Sequence, residues 1–98
     1  MAITGKCLCG SVRYTIDAKP VTARICWCRL CQYFGAGTGT ANVMFPSAAI
    51  KIEGELSDYS CSADSGNKMH RRFCPKCGTP VFTGGEARPD IVGVRAGT

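Results

Sequence analysis

The sequence predicts an all-β domain organised around metal sites. Three observations carry that expectation. Short segments rich in β-branched and aromatic residues alternate with glycine-rich turns. No helical apolar period lasts beyond a single turn. Seven of the eight cysteines fall into tight clusters: Cys7-Leu-Cys9, Cys26-Trp-Cys28-Arg-Leu-Cys31 and Cys74-Pro-Lys-Cys77-Gly78.

The elements follow in order. Ser11 to Ile16 alternates polar and apolar residues, the pattern of a strand with one buried face. Val21 to Cys26 is a second β-rich run, and it delivers the cysteine trio at its end. Gly37 to Phe45 reads as a third strand, stopped by Pro46, with its glycines marking close backbone approach. Ile50–Glu53 and Leu56–Cys61 are expected to form a hairpin across Gly54 and Glu55. Ala63 to Asn67 has turn chemistry. Lys68–Phe73, Val81–Thr83 and Ile91–Arg95 complete the strands. Arg29 to Tyr33 and Ser47 to Ala49 have room for one helical turn each. Residues 1–98 read as a single zinc-binding β domain, and the stop directly after a strand pattern resembles a cut C-terminus.

Ninety-eight residues bury only a limited core, so bound metal is expected to contribute much of the stability. No apolar run reaches membrane-spanning length. The 12 Lys and Arg against 7 Asp and Glu give a formal charge of +5. Seven thiolates around two zinc ions would reduce this to about +2. That balance suits a small anionic ligand as well as nucleic acid.

The cysteines decide between a disulfide scaffold and metal. The N-terminal residues carry no apolar signal stretch. Cys-x-Cys and Cys-x-x-Cys spacings suit one metal atom better than a staple across a long loop. Reduced thiols point in turn to a cytoplasmic location. Structural zinc takes four ligands in a tetrahedron, whereas reactive zinc keeps three and leaves a position open. Cys74 and Cys77 are spaced to chelate, Pro75 fixes their turn, and Gly78 is suited to a positive φ that aims backbone N–H groups at sulfur. Cys7 and Cys9, with Gly10 after them, are the natural partners. Joining the two pairs would clip the start of the chain to its end and close a very long loop. Cys26, Cys28 and Cys31 would form a separate three-sulfur site. Cys61, His70 or an acidic side chain could supply a fourth ligand there, though a free thiol and an ordinary strand histidine are the simpler readings of the first two.

Gly5-Lys-Cys-Leu-Cys-Gly-Ser-Val-Arg-Tyr14, Cys26-x-Cys28-x-x-Cys31-Gln32 and Arg72-Phe-Cys-Pro-Lys-Cys-Gly-Thr-Pro80 together resemble the glutathione-dependent formaldehyde-activating enzyme family, which includes centromere protein V. The resemblance spans nearly the whole chain in the right order. It implies a zinc-stabilised β-tent fold of short antiparallel strands. It implies a structural zinc on Cys7, Cys9, Cys74 and Cys77, and a catalytic or labile zinc on Cys26, Cys28 and Cys31. The activity implied is that of a carbon–sulfur lyase on a glutathione–aldehyde adduct such as S-hydroxymethylglutathione. Trp27 stands where the family often has histidine, and the family usually continues beyond Thr98.

Glutathione carries two carboxylates. Arg29, inside the trio, is the nearest candidate for a carboxylate contact, ahead of Arg24, Arg71 and Arg72. In a strand Arg71 and Arg72 point to opposite faces, so at most one serves the site. Trp27 is expected in the core, and Tyr33 and Phe34 at the pocket wall. The expected partner is a small-molecule thiol or thiol–aldehyde adduct. The alternative is a non-catalytic zinc module for protein or nucleic acid. Against nucleic acid, Lys68 to Arg72 is the one basic cluster and no exposed aromatics interleave with it.

Overall fold

The computed structural model describes residues 2–98. It is nearly all β, as the sequence predicts. Two antiparallel sheets are built from β1 (Ile3–Lys6), β2 (Arg13–Ile16), β3 (Thr22–Cys26), β4 (Thr40–Pro46), β5 (Ile50–Glu53), β6 (Ser57–Ser62), β7 (Lys68–Phe73), β8 (Pro80–Gly85) and β9 (Ile91–Arg95). One short helix, α1 (Arg29–Phe34), follows β3, and a 3-10 turn covers Ser47–Ala49. The three-stranded sheet runs β1-β2-β5, and the six-stranded sheet runs β3-β4-β9-β8-β7-β6.

The hairpin expected between Ile50–Glu53 and Leu56–Cys61 does not form. β5 pairs with β2, Tyr14 opposite Ile52, while β6 pairs with β7 in the other sheet. Residues 54–56 therefore carry the chain from one sheet to the other. Gly54 makes the turn at φ +99°, with its α-carbon so close to the Ser11 carbonyl that a Cβ would collide with it. β1 lacks alternating apolar residues and was not legible in the sequence. It exists because β2 offers an edge, pairing Ile3 with Ile16 and Gly5 with Tyr14. A Cβ on Gly5 would fall inside the Tyr14 ring. Pro46 ends β4 from within, paired with Ile91.

The core lies between the sheets. Val12, Tyr14 and Ile16 from one side meet Phe45, Val81, Phe82 and Val94 from the other, all buried. Tyr14 and Phe82 pack edge to face with ring centroids 5.4 Å apart. This uses one face of the six-stranded sheet. Residues of opposite parity face away from that core. Register places Arg24, Asn42 and Arg95 in one row across β3, β4 and β9. The neighbouring row crosses β4, β9, β8 and β7 as Met44, Gly93, Thr83 and Arg71. α1 sits on this second face, with the Phe34 ring 4.8 Å beneath the Arg71 guanidinium.

Candidate metal centres

Two similar turns build the first centre. Cys7 to Val12 joins β1 to β2, and Cys74 to Thr79 joins β7 to β8. Each closes on backbone bonds: Cys7 N–H to the Val12 carbonyl and Cys74 N–H to the Thr79 carbonyl, both 3.0 Å. Gly10 and Gly78 take φ of +81° and +79°. Their own N–H groups bond to the carbonyls of Cys7 and Cys74 at 3.1 and 2.9 Å. Sulfur is served instead by Val12 N–H on Cys7 and by Lys76 and Cys77 N–H on Cys74.

The sulfurs of Cys7, Cys9, Cys74 and Cys77 all lie within 4.8 Å of one another. Cys7–Cys9 and Cys9–Cys74 are 3.7 and 3.8 Å apart. A tetrahedron with metal–sulfur bonds near ~2.3 Å has edges of about 3.8 Å, whereas a disulfide needs ~2.05 Å. The donor set therefore fits a tetrahedral thiophilic ion. Titration agrees. The Thr79 hydroxyl at 3.1 Å, with the N–H groups of Cys9 and Thr79, holds Cys77 down to about 5. Burial pushes Cys7 up, but the Val12 N–H, the Ser11 hydroxyl and the adjoining sulfurs outweigh it and leave it at about 7. Ser11 pulls Cys9 down, yet burial and the crowding by Cys7 and Cys74 raise it overall. Four adjacent thiols cannot all ionise without a cation among them. Ser11 was not singled out by sequence; its hydroxyl lies 3.2 Å from both Cys9 and Cys74 sulfurs.

The second centre sits where β3 ends and α1 begins. Cys26 is the last residue of β3. Cys28 caps α1, its sulfur accepting from Cys31 N–H at 3.4 Å. Cys31 is buried in the first turn of the helix. The three sulfurs lie within 4.8 Å of one another, and no fourth Cys, His, Asp or Glu among the described residues joins them. The Cys31 N–H and the neighbouring sulfurs draw Cys28 down. For Cys26 the Cys28 N–H acts downward, but the Cys31 and Cys28 sulfurs and burial give a net rise. Three thiolates with one side open would also accept a metal.

That open side is a hollow of about 580 Å³, large enough for a peptide-sized ligand. The trio, Trp27, Arg24 and Arg71 border it. Trp27 is not in the core: it is exposed, lies against Gly39 and forms part of the rim, because β3 is an edge strand with one neighbour. Arg29 does not line the hollow; its guanidinium stacks 4.2 Å above the exposed Tyr33 ring. Of Arg71 and Arg72, Arg71 is the buried one on the hollow's side, and Arg72 lies on the opposite face across from Phe82. Phe34 acts from below, through Arg71. Arg95 and Asn42 were missed by sequence reasoning, since nothing in a lone arginine at a strand end reveals its cross-strand neighbour. Arg95 donates to the Asn42 side-chain oxygen Oδ1 at 2.8 Å.

His70 and Cys61 lie elsewhere. His70 stands between Asp58 at 2.8 Å and Glu86 at 2.7 Å, beside a separate hollow that no cysteine lines. Cys61 pairs with Met69 across β6 and β7. The basic run Lys68 to Arg72 is not a uniform patch, since Arg71 is buried and His70 is held by carboxylates. No helix among the described residues is long and apolar enough to cross a membrane.

Comparisons with known proteins bear on the family and the fold. The family model described as glutathione-dependent formaldehyde-activating enzyme matches residues 2–98. A Halomonas elongata protein named "Putative glutathione-dependent formaldehyde-activating enzyme" is 26% identical over 97 residues, covering 94% of this chain. The chain spans 62% of that relative's length. A crystal structure of a Rhodobacter sphaeroides protein superposes with a TM-score of 0.76 at 20% identity, over 97% of this chain and 85% of that one. The likeness to that structure is one of fold.

Proposed function

Because the chain belongs to the glutathione-dependent formaldehyde-activating enzyme family, we propose that it is a zinc-dependent carbon–sulfur lyase of cytoplasmic location, acting on a glutathione–aldehyde adduct such as S-hydroxymethylglutathione. The observation that carries this reading is the cysteine trio: three sulfurs within 4.8 Å, no fourth protein donor among the described residues, and a peptide-sized hollow on the open side. The four-cysteine centre is assigned a structural zinc. It ties the β1–β2 turn to the β7–β8 turn.

In the forward direction a sulfur–carbon bond forms between the glutathione thiol and the aldehyde carbon, and the thiol proton ends on the new hydroxyl. Zinc at the trio would supply the positive charge that stabilises a thiolate at neutral pH. The remaining work falls to the chain. Cys26, Cys28 and Cys31 provide a donor set with one direction left open. Arg24 and Arg71 make that direction electropositive, which favours an anionic thiol. Arg29 can reach a ligand carboxylate only by leaving the Tyr33 ring. Cys28 is exposed, so water reaches the reacting sulfur and can carry the proton. Trp27 gives the rim an apolar wall.

Calorimetry with glutathione on zinc-loaded wild type and on Cys28→Ser tests the reading, alongside NMR of glutathione and formaldehyde exchange. Binding is expected in wild type and lost in the variant. Absence of any heat in wild type would remove the enzyme reading, and binding that survives Cys28→Ser would place the ligand elsewhere.

A further inference from the structure

Two arginines on the outer face of the six-stranded sheet have no partner of opposite charge. Arg71 and Arg95 are 7% and 8% exposed, so both guanidiniums are withdrawn from water. The ion pairs among the described residues are His70 with Asp58, His70 with Glu86, and Arg88 with Asp90; neither buried arginine takes part. Their fixed partners are neutral. Arg71 donates to the Thr83 hydroxyl at 3.1 Å and lies over Phe34, and Arg95 donates to the Asn42 side-chain oxygen Oδ1. The Nε–H of each has no acceptor.

A buried cation without an anion is costly, and burying two side by side is more so. They are close enough to repel. Burial first, then the Arg71 charge, lowers the Arg95 pKa, while Cys31 and Cys26 pull it the other way. The pair therefore lies in the field of the cysteine trio. Arg24, in the row with Asn42 and Arg95, adds a third guanidinium at the edge of the hollow. Against these stands one carboxylate, the exposed Asp64 at the rim. With Asp64 and three thiolates around a zinc ion counted, the charges lining the hollow balance, and Arg95 behind them leaves an excess of about one positive charge before any ligand enters.

We infer that Arg71, with the Arg95 charge behind it, is a carboxylate-binding subsite beside the cysteine trio that selects thiols carrying their own carboxylate. The inference rests on the reading that the trio accepts a thiol. Arg71 borders the hollow and is the contacting group; its planar fork suits a carboxylate. Arg95 is a positioning residue: it holds Asn42, which lines the hollow, and adds charge from behind. Gly93, between Thr83 and Met44, leaves out a side chain whose Cβ would collide with Thr83, the hydroxyl partner of Arg71.

The test is calorimetric titration of the zinc-loaded chain with 3-mercaptopropionate, with its methyl ester and with glutathione. The acid is expected to bind about tenfold or more tightly than the ester, the range of a charge-assisted hydrogen bond. In Arg71→Met acid and ester should bind alike, both at or below the wild-type affinity for the ester, while the Tm holds or rises because an uncompensated charge has left the interior. Arg71→Lys should restore part of the preference. Arg95→Met should weaken the preference without abolishing ester binding. Equal binding of acid and ester by wild type overturns the subsite, as does a folded Arg71→Met protein that keeps the preference. Should Arg71→Met not fold, the wild-type comparison and Arg71→Lys decide alone. Acid preference without glutathione binding refutes the glutathione reading and leaves the subsite standing. Glutathione binding without acid preference does the reverse, and silence from all three thiols overturns both.

Discussion

The Cys9 and Cys74 sulfurs stand 3.8 Å apart although 65 residues separate them in the chain. This one approach joins the edge of the three-stranded sheet to the turn that closes β7 on β8. It makes the first centre a clasp between the two halves of the core.

Cys77→Ser should undo that clasp. A chain of this size holds a net stability of about 5–15 kcal/mol, and a structural zinc contributes ~10–16 kcal/mol in small zinc-dependent modules. The variant is expected to lose one zinc per chain and its cooperative melting transition. Wild-type zinc content with an unchanged Tm would refute the structural assignment.

Cys28→Ser should separate the two centres. Serine keeps an oxygen that can cap α1, so the fold is expected to survive with a Tm change worth no more than about 1 kcal/mol. Bound zinc should fall from two ions per chain to one, read by metal analysis after gel filtration. A variant that still holds both ions would show that Cys28 is not a ligand.

His70 should make stability depend on pH. Hydrogen bonds donated to Glu86 and then to Asp58 raise its folded pKa above the ordinary 6.5. A raised folded pKa means the contribution is complete below pH 6.5 and disappears as pH rises through the folded value. The Tm of wild type minus that of His70→Gln should therefore be largest near pH 6 and shrink towards pH 9. The difference cancels the pH dependence of zinc binding. A gap that grows with pH would refute the double carboxylate contact.

Gly54→Ala should be destabilising out of proportion to its size. The position holds φ +99°, and the added Cβ meets the Ser11 carbonyl. A loss of about 1–3 kcal/mol is expected in denaturant unfolding. A loss below ~0.5 kcal/mol would mean that the crossing between sheets is looser than it stands here.

Much of this was legible in the chain itself, because the signals are local. Two-residue alternation marks β2, with Tyr14 and Ile16 buried and Arg13 and Thr15 exposed. Close cysteine spacing predicts chelation wherever the strands run, and both predicted sulfur groups assemble. Other features depended on partners distant in sequence. β1 is a strand only because β2 presents an edge to it. β5 joins β2 rather than β6, a choice between two sheets that no turn signal at Gly54 and Glu55 encodes. Arg29 is adjacent to the trio in sequence yet turns to Tyr33, while Arg71 and Arg95, which sequence places far from it, reach the same face of the sheet. Ligand spacing is short-range covalent geometry and survives any fold. The charge that surrounds a site is set by strand register, and register is settled only when the whole sheet assembles.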